Sequence, residues 1–335
     1  MQKQHPFAKF VAILARGKTK TRPLTLNEAE ESMGMILRGE ATPEQIGAFL
    51  MLLRLKEETA EEIAGFTLGA RTVFDLPDNM PTVDIDWSSY AGKRIQLPWF
   101  ILSALALAGS GLRVFMHGTD GHTPGRVYTQ ETLEKLGVPI SATLHEAADQ
   151  LVSHNFAYAP LEALSPVLHD LIQLRPILGL RSPVHSFARM LNPFNATMLP
   201  QGIFHRGFMD VHAGAAVLLN QSHMSVFRGE GGEFERRPNK PTVVCSTHGT
   251  GDPAEESWPA LLANPHQPAN QEMDTSELAS IWSGKSGNEY GEAAVTGAMA
   301  IVLKTMGRAN TVESAQTMAE GIWAARDKDN LIKRA

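Results

Sequence analysis

Basic side chains gathered in two stretches of the sequence are the residues best suited to chemistry, and that chemistry is the binding of phosphate. Residues 1–25 carry six basic side chains and no acidic one, and residues 171–240 carry eight against four. The candidate phosphate-binding residues in them are Lys18, Lys20, Arg22, Arg175, Arg181, Arg189 and Arg206. Such a patch can neutralise a phosphodiester backbone and release its counterions. For residues 16–22, a merely solvated linker is the alternative.

The overall charge of the protein narrows the kind of nucleic-acid binder that the basic stretches can indicate. The formal net charge is −6, which argues against a nucleic-acid binder that is basic throughout. Because the two basic stretches are local, they predict a positive surface on an otherwise acidic protein.

No pattern in the sequence indicates a bound metal, a cofactor or a catalytic nucleophile. The single cysteine, Cys245, excludes a disulfide scaffold and any site with several thiolate ligands. None of the 12 histidines lies in an HExxH spacing, and the GxSxG motif of serine nucleophiles is absent. The sequence therefore predicts no catalytic residue, no metal and no cofactor.

The first hundred residues read as short helices with clear start signals. Three capping boxes begin at Thr25, Thr42 and Thr59, each with Glu or Gln three residues later. The second of these helices carries a stripe of apolar residues at helical spacing, which faces either a core or a partner. The stripe consists of Ile46, Phe49, Leu50 and Leu53.

After Pro77 the pattern changes to an alternation of strands and helices. Short β-branched or aromatic runs at 81–85, 112–115, 224–227 and 242–245 alternate with long Ala- and Leu-rich stretches. This rhythm predicts a sheet covered by helices. Prolines across 160–200 predict short helices and turns, and residues 250–270 are predicted to form a long loop or an excursion from the sheet.

Length and hydrophobic content bound the organisation of the chain. Its 335 residues are 43% hydrophobic, enough for two domains or for one large α/β body with a helical appendage. No apolar run approaches the roughly 20 residues that a membrane helix needs. We therefore expect no membrane partner and a cytoplasmic location.

Across nearly the whole chain, ordered motifs resemble the anthranilate phosphoribosyltransferase family, which shares its fold with pyrimidine nucleoside phosphorylases. Residues 24–71 look like that family's N-terminal helical module almost throughout. Later matches include LEKLGV at 133–138, LRPILGLRS at 174–182 and GEAAVTGAMAIVLKTMG at 291–307.

The resemblance implies an α/β protein with a small N-terminal α-helical domain and a larger α/β domain around a central, mostly parallel sheet. The expected boundaries are 1–77 with about 170–200 for the small domain, and 78–169 with 201–335 for the large one. Family members usually dimerise through the helical domain. A homodimer is therefore expected, with the apolar stripe contributing either to it or to the core.

The motif that cradles the pyrophosphate in the family, GTGGDG, has been replaced. Here the matching stretch reads Trp87, Ser88, Ser89, Tyr90, Ala91 and Gly92. Bulky side chains take the place of glycines whose bare backbone would approach the phosphate oxygens.

Two further motifs of the family have also changed. The KHGNR motif, which places a cation beside the ribose phosphates, reads Met116, His117, Gly118, Thr119 and Asp120. The acidic DGLDE-like motif for magnesium reads GGEFE at 231–235, so that Phe234 takes an aspartate position. The resulting loss of positive charge is unfavourable for a substrate with several negative charges. We infer a degenerate phosphate site that does not bind phosphoribosyl pyrophosphate in the family manner.

These departures resemble a second subgroup of the family, which lacks the glycine-rich loop and is associated with sequence-independent binding of nucleic acid. The resemblance implies DNA or RNA as the partner. The aromatic side chains of Trp87, Tyr90, Trp99 and Phe100 would stack on unpaired bases if exposed. If buried, they fill the space that the diphosphate would occupy.

The alternative function is a glycosyl or phosphoribosyl transferase, or a phosphorylase, that acts on a different and less charged donor. His117 or Arg175 would then hold a substrate in the old cleft. Arg175 matches the region where the family holds the anthranilate carboxylate, and Arg181 lies nearby. A structural role at the domain junction explains either arginine equally well.

Overall fold

The computed structural model describes residues 4–17, 19–119, 121, 123–266, 268 and 273–332. Two candidate site residues, Lys18 and Asp120, lie outside these ranges.

Four helices open the chain, and the predicted capping boxes begin three of them. They are α1 (Ala8–Ala15), α2 (Leu26–Leu37), α3 (Pro43–Lys56) and α4 (Ala60–Arg71). The side-chain oxygens of Thr25, Thr42 and Thr59 each accept a hydrogen bond from the backbone N–H three residues on. The side chain of that third residue accepts one in turn from the backbone N–H of the threonine. Each box satisfies amide donors that the first turn of a helix leaves without partners.

The apolar stripe of α3 is core. The side chains of Phe49, Leu50 and Leu53 are fully buried, and Ile46 packs against the same cluster. The Phe49 ring centroid lies 5.3 Å from that of Phe7 on one side and 5.9 Å from that of Phe66 on the other. The stripe therefore holds the helices to one another and is not the face of a dimer.

Two glycines let α2 and α4 pack backbone to backbone. A β-carbon added at Gly65 would lie 2.3 Å from the Leu26 carbonyl oxygen, and one at Gly69 would lie 2.6 Å from that of Glu30.

We expect Gly65→Ala to destabilise the protein by about 1–3 kcal/mol, since overpacking forces the helices apart. Urea unfolding measures this. Gly47→Ala on α3, where an added β-carbon meets nothing within 4 Å, serves as the control and is expected to stabilise by about 0.5–1 kcal/mol. Equal shifts for the two variants would contradict the close packing of α2 and α4.

Short helices fill the proline-rich segment, as predicted. They are α8 (Leu161–Leu164), α9 (Pro166–Gln173), α10 (Arg175–Leu178) and α11 (Val184–Phe187), followed by a 3₁₀ turn. Phe187 packs on Phe66 at 5.6 Å between ring centroids, and Arg71 Nε donates to the Leu191 carbonyl at 2.7 Å. These contacts tie the segment to α4, while the domain boundaries themselves stay a prediction.

The described strands form one seven-stranded sheet in the order β3-β2-β1-β4-β5-β6-β7. The strands are β1 (Ile85–Ser89), β2 (Val114–Gly118), β3 (Phe156–Pro160), β4 (Met198–Ile203), β5 (His223–Arg228), β6 (Thr242–Thr247) and β7 (Ala254–Trp258). In the order from β3 to β5, all neighbouring strands are parallel, while the pairs β5–β6 and β6–β7 are antiparallel. The predicted mixed α/β fold with a mostly parallel sheet is confirmed.

Two predictions of local structure are wrong. The strand expected at 81–85 instead spans Ile85–Ser89, which is buried on both faces and includes the polar Asp86, Ser88 and Ser89. A search for runs of apolar residues does not detect a buried strand that contains polar side chains. Strand β7 lies inside the segment 250–270 that was expected to be a loop, because pairing with β6 stabilises its exposed residues.

Helices cover both faces of the sheet. They include α5 (Trp99–Gly109), α6 (Thr129–Lys135), α7 (Leu144–His154), α12 (Phe208–Leu218), α13 (Ser276–Trp282), α14 (Glu289–Thr305) and α15 (Val312–Ala324). In the described chain, one apolar cluster joins the N-terminal helices to one face of the sheet, and a second packs α5, α14 and α15 on the other. Among the helices of the described ranges, none combines the length and apolar character required to span a bilayer.

Candidate anion-binding cleft

The stretch that replaces the family's glycine-rich loop is mostly strand. Trp87, Ser88 and Ser89 belong to β1, and only the residues from Tyr90 to Gly92 turn away from the sheet. The Trp87 ring is fully buried and meets the edge of Phe234 at 5.2 Å between centroids.

The aromatic residues of this region fill space and cannot stack on a ligand. Trp87, Tyr90, Trp99 and Phe100 are each at most 1% exposed. Phe234, at the position of a family aspartate, lies 4.7 Å from Phe227 between ring centroids. Of the two interpretations of these aromatic residues, burial in place of the diphosphate is the one that the structure supports.

A carboxylate of the chain itself occupies the donors of the former phosphate loop. Glu233 Oε1 accepts hydrogen bonds from the backbone N–H of Ala91 at 2.7 Å and of Gly92 at 2.8 Å. Two adjacent amides on one oxygen form the kind of concave anion site that binds phosphate elsewhere. Here an internal side chain provides the anion, and Glu233 is completely buried.

A second buried group of charges lies directly after this turn. The ammonium of Lys93 pairs with the carboxylates of Glu230 and Glu235, and all three side chains are inaccessible to water or nearly so. Glu235 Oε2 also accepts from the Phe100 backbone N–H at 3.1 Å. Burial raises the pKa of Glu235 to about 7, and the neighbouring Glu230 adds to the rise while Lys93 opposes it.

The acidic residues that match the family's magnesium motif do not fit a metal ion. Glu233 Oε1 is occupied by two backbone amides, and the two oxygens of Glu235 by Lys93 and the Phe100 amide. Glu233 Oε2 is buried without a partner among the described residues, but one such oxygen is not a set of metal ligands. The position between Glu233 and Glu235 is the buried Phe234. A metal ion needs ligand oxygens that no protein donor occupies, so we derive no metal-dependent step for this site.

The second altered motif is an internal hydrogen-bond chain on β2. His117 Nδ1 lies 2.7 Å from the Tyr90 hydroxyl, and His117 Nε2 lies 3.0 Å from Asp86 Oδ1. Met116 is fully buried. At Gly118 an added β-carbon would lie 2.1 Å from the Ser89 carbonyl oxygen, so the glycine permits this approach. His117 is thus held inside the protein, fully buried, and is not in a position to hold a substrate.

The polar side chains of β1 are likewise used internally. Ser89 Oγ lies 2.7 Å from Thr129 Oγ1, and Ser88 Oγ accepts from Gln201 Nε2 at 3.4 Å. Apart from Asp120, which lies outside the described residues, the residues named as a degenerate phosphate site therefore form a buried, internally bonded interior.

An open cavity of about 460 Å³ lies beside this closed interior. Arginines surround it, with Arg126 following β2, Arg175 and Arg181 from the α10 region and Arg189 from the turn after α11. We call this cavity the arginine cleft. The side chains of Glu58 and Phe204 lie on its wall.

Backbone carbonyls and one hydroxyl hold these guanidinium groups in place. Arg126 Nη1 donates to the carbonyls of Ala91 at 2.8 Å and Gly92 at 3.0 Å. Arg189 Nη1 donates to Gly202 at 2.9 Å and Gly232 at 3.1 Å. Arg175 and Arg181 both donate to the hydroxyl of Thr123.

The arginine cleft carries an excess of positive charge, since five arginines line it and Glu58 is the single acidic residue among its described lining residues. In the part of the chain that is described, no carboxylate forms an ion pair with Arg126, Arg181 or Arg189. Burial, together with the charges of Arg126, Arg175 and Arg189, lowers the pKa of Arg181 to about 10. A bound anion would relieve this repulsion, so the cleft has the electrostatics of an anion site.

The seven predicted phosphate-binding residues do not converge on one place. Arg175, Arg181 and Arg189 meet in the arginine cleft, whereas Arg206 lies outside it. Arg22 pairs with Glu28 at 2.6 Å and 2.7 Å, and this pairing lowers the pKa of Glu28 to about 2. It thus braces the α2 cap, and Lys20 is exposed. A role of either side chain in binding phosphate stays a prediction.

Sequence reasoning missed Arg126, Lys93 and Glu233. Arg126 stands alone among glycines and threonines, so no charge cluster marks it. Glu233 and Ala91 are 142 residues apart. The only signal was the simultaneous loss of loop glycines and retention of acidic residues at 230–235.

Comparison with known proteins places these features in context. Residues 11–72 match the model of the glycosyl transferase family helical bundle domain. A protein from Symbiobacterium thermophilum named anthranilate phosphoribosyltransferase is 30% identical over 237 residues, covering 69% of this chain and 68% of that protein. A protein of the same name from Thermomicrobium roseum is 26% identical over 318 residues, covering 90% and 88%.

Solved structures agree on the fold. The crystal structure of anthranilate phosphoribosyltransferase from Thermus thermophilus superposes with a TM-score of 0.77 at 20% sequence identity, covering 98% of this chain and 97% of that one. At this identity the similarity concerns the fold.

Proposed function

The chain belongs to the anthranilate phosphoribosyltransferase-like family, and from that premise we propose that it binds nucleic acid through the arginine cleft, without sequence preference and without phosphoribosyl transfer. The observation that carries this proposal is the set of five arginines around one open cavity, Arg54, Arg126, Arg175, Arg181 and Arg189. Among the described residues, Arg126, Arg181 and Arg189 take part in no ion pair. Phosphodiester groups match guanidinium groups in charge and in hydrogen-bond geometry.

The closed interior supports the loss of the parental substrate. Phosphoribosyl pyrophosphate would have to displace Glu233 from the amides of Ala91 and Gly92. It would also have to enter a space that the rings of Trp87 and Phe234 fill. Both changes require the removal of buried groups, which makes the family's binding mode energetically costly.

Fluorescence anisotropy with labelled single- and double-stranded oligonucleotides tests the proposal. We expect dissociation constants of about 10⁻⁴ to 10⁻⁶ M at physiological salt, with a logarithm of affinity that falls linearly with the logarithm of salt concentration. Similar affinities for unrelated sequences are expected. The absence of binding even at low salt would reject the proposal.

The second candidate is a glycosyl or phosphoribosyl transferase, or a phosphorylase, with a donor other than phosphoribosyl pyrophosphate. The comparisons support it more directly than nucleic-acid binding, since the named relatives are transferases. In this case Arg175 and Arg181 would hold an anionic acceptor in the same cleft.

Calorimetric titration with phosphoribosyl pyrophosphate and magnesium distinguishes the two candidates. For a nucleic-acid binder with the closed interior described above, we expect no magnesium-dependent binding. Micromolar binding that requires magnesium would favour the transferase instead. A homodimer and a cytoplasmic location remain predictions in either case.

A further inference from the structure

A second basic cavity lies next to the arginine cleft. It has a volume of about 260 Å³, and we call it the outer groove. Its cationic side chains are those of Arg206, Arg228, Arg237 and Lys240. Glu255 pairs with Arg206 at 3.3 Å, but among the described residues no ion pair involves Arg228, Arg237 or Lys240.

The sheet brings this groove and the arginine cleft side by side. Ile203, the last residue of β4, lines the cleft, and its partner in the parallel register is Arg228, which lines the groove. The chain then continues from β4 into α12, where Phe208 faces the cleft and Met209 the groove. The two cavities are therefore separated only by the residues that follow the end of β4.

An exposed aromatic ring lies at this boundary. Phe204 is 47% exposed, in contrast to the buried rings near 87–100. The Arg228 guanidinium carbon lies 5.9 Å from the centre of the Phe204 ring. An aromatic face between two cationic cavities matches the alternation of base and phosphate along an unpaired strand.

One cation of the outer groove has unmet hydrogen-bonding capacity. Arg237 Nε is buried and has no hydrogen-bond partner among the described residues. A buried donor left without a partner is costly, so the Arg237 side chain would gain a hydrogen bond if it turned toward an anion in the groove.

Building on the proposed function, we propose that the outer groove binds a second segment of the same strand, so that the ligand is an unpaired nucleic acid of several nucleotides. Its phosphates contact the arginine cleft and the outer groove, and a base between them stacks on Phe204. The cleft volume of about 460 Å³ is that of a small-molecule pocket, which admits part of a single strand and excludes a duplex.

Anisotropy titrations with labelled oligothymidylates of about 3, 6 and 12 nucleotides test this inference. We expect affinity to rise with length, because only the longer strands reach both cavities. In the double variant Arg228→Gln and Lys240→Gln, the shortest strand should lose the least affinity and the gain with length should disappear. The salt slope for the longest strand should fall by roughly 0.7 for each phosphate that the variant no longer neutralises.

Two further variants sharpen the result. Phe204→Leu should weaken the longer single strands by about tenfold or more through the loss of stacking. The double variant Lys135→Gln and Arg308→Gln removes the same charge from exposed positions outside both cavities and should leave the length dependence intact.

The outcomes separate this inference from the proposed function. Two results would contradict binding in the outer groove while leaving the proposed role of the arginine cleft intact. One is equally strong binding at all lengths, and the other is a length dependence that persists in the Arg228 and Lys240 variant. Tighter binding of duplex than of single strands would overturn the unpaired ligand. No binding of any oligonucleotide would overturn the proposed function itself.

Discussion

Replacing Lys93 with methionine is expected to destabilise the protein by about 3–5 kcal/mol, because it leaves two carboxylates buried without their counterion. Lys93 is completely buried and pairs with both Glu230 and Glu235. The triad lies between the turn after β1 and the segment 230–235, so its loss would also loosen the closed interior. Urea unfolding monitored by tryptophan fluorescence measures the change.

A matched variant separates charge from packing. Lys93→Met combined with Glu230→Gln and Glu235→Gln removes the unpaired charges while retaining similar volumes. We expect this triple variant to recover a large part of the lost stability, since replacing a whole buried ion cluster by neutral groups costs far less than breaking it. If the triple variant were as unstable as Lys93→Met, the shape of the lysine side chain would be responsible and its charge would not.

The same triad predicts a dependence of stability on pH. The Glu235 pKa is raised from 4.5 to about 7 in the folded protein, so between these values the folded state binds more protons than the unfolded state. The contribution of this group to stability is therefore present below about pH 4.5 and is lost as the pH rises through about 7. In Lys93→Met no cation opposes the rise, and the destabilisation should be greater at pH 8 than at pH 5. A pH-independent difference from the wild type would contradict this assignment.

Reversing the charge of Arg181 should lower the affinity for oligonucleotides by at least about tenfold, because a carboxylate placed among the phosphate contacts repels the ligand. Arg181 lies in the middle of the arginine cleft, where its three neighbouring arginines lower its pKa. The new glutamate would find cations on all sides. Arg181→Glu should therefore keep or increase the thermal unfolding midpoint while it loses binding, a combination that simple misfolding cannot produce.

Arg308→Glu provides the control for this experiment. Arg308 is exposed and lies outside the arginine cleft and the outer groove, so its reversal changes the net charge equally. If both variants lost affinity to the same extent, general surface charge would explain the binding and the cleft would not. Arg181→Lys should retain part of the affinity, since it keeps the charge and loses the paired donors of the guanidinium.

The internal carboxylates satisfy donors and a cation that would otherwise be buried without partners. Glu233 satisfies the amides of Ala91 and Gly92, and Glu230 and Glu235 neutralise Lys93. The positive features of the loop are thereby balanced within the chain. The unbalanced positive charge lies in the arginine cleft and the outer groove, where a new ligand can bind.

The sequence alone was sufficient for features that depend on neighbouring residues. Capping boxes at Thr25, Thr42 and Thr59 act over three residues, and all three begin helices as predicted. The alternation of strands and helices indicated the mixed α/β fold. The replacement of loop glycines by Trp87 and Tyr90 predicted bulky side chains in place of bare backbone, and both rings are buried. That a diphosphate no longer binds there stays a prediction.

Only the tertiary structure decided which charges meet. Seven basic residues looked alike in the sequence, yet three of them line one cleft, Arg206 lies in a separate groove and Arg22 braces a helix cap. No pattern in the sequence marked Arg126 as part of the cleft. Glu233 accepts a hydrogen bond from an amide 142 residues away. Local propensity fixes where a helix or strand begins, but the convergence of side chains depends on strand order, register and helix packing, which bring together residues that are far apart in the chain.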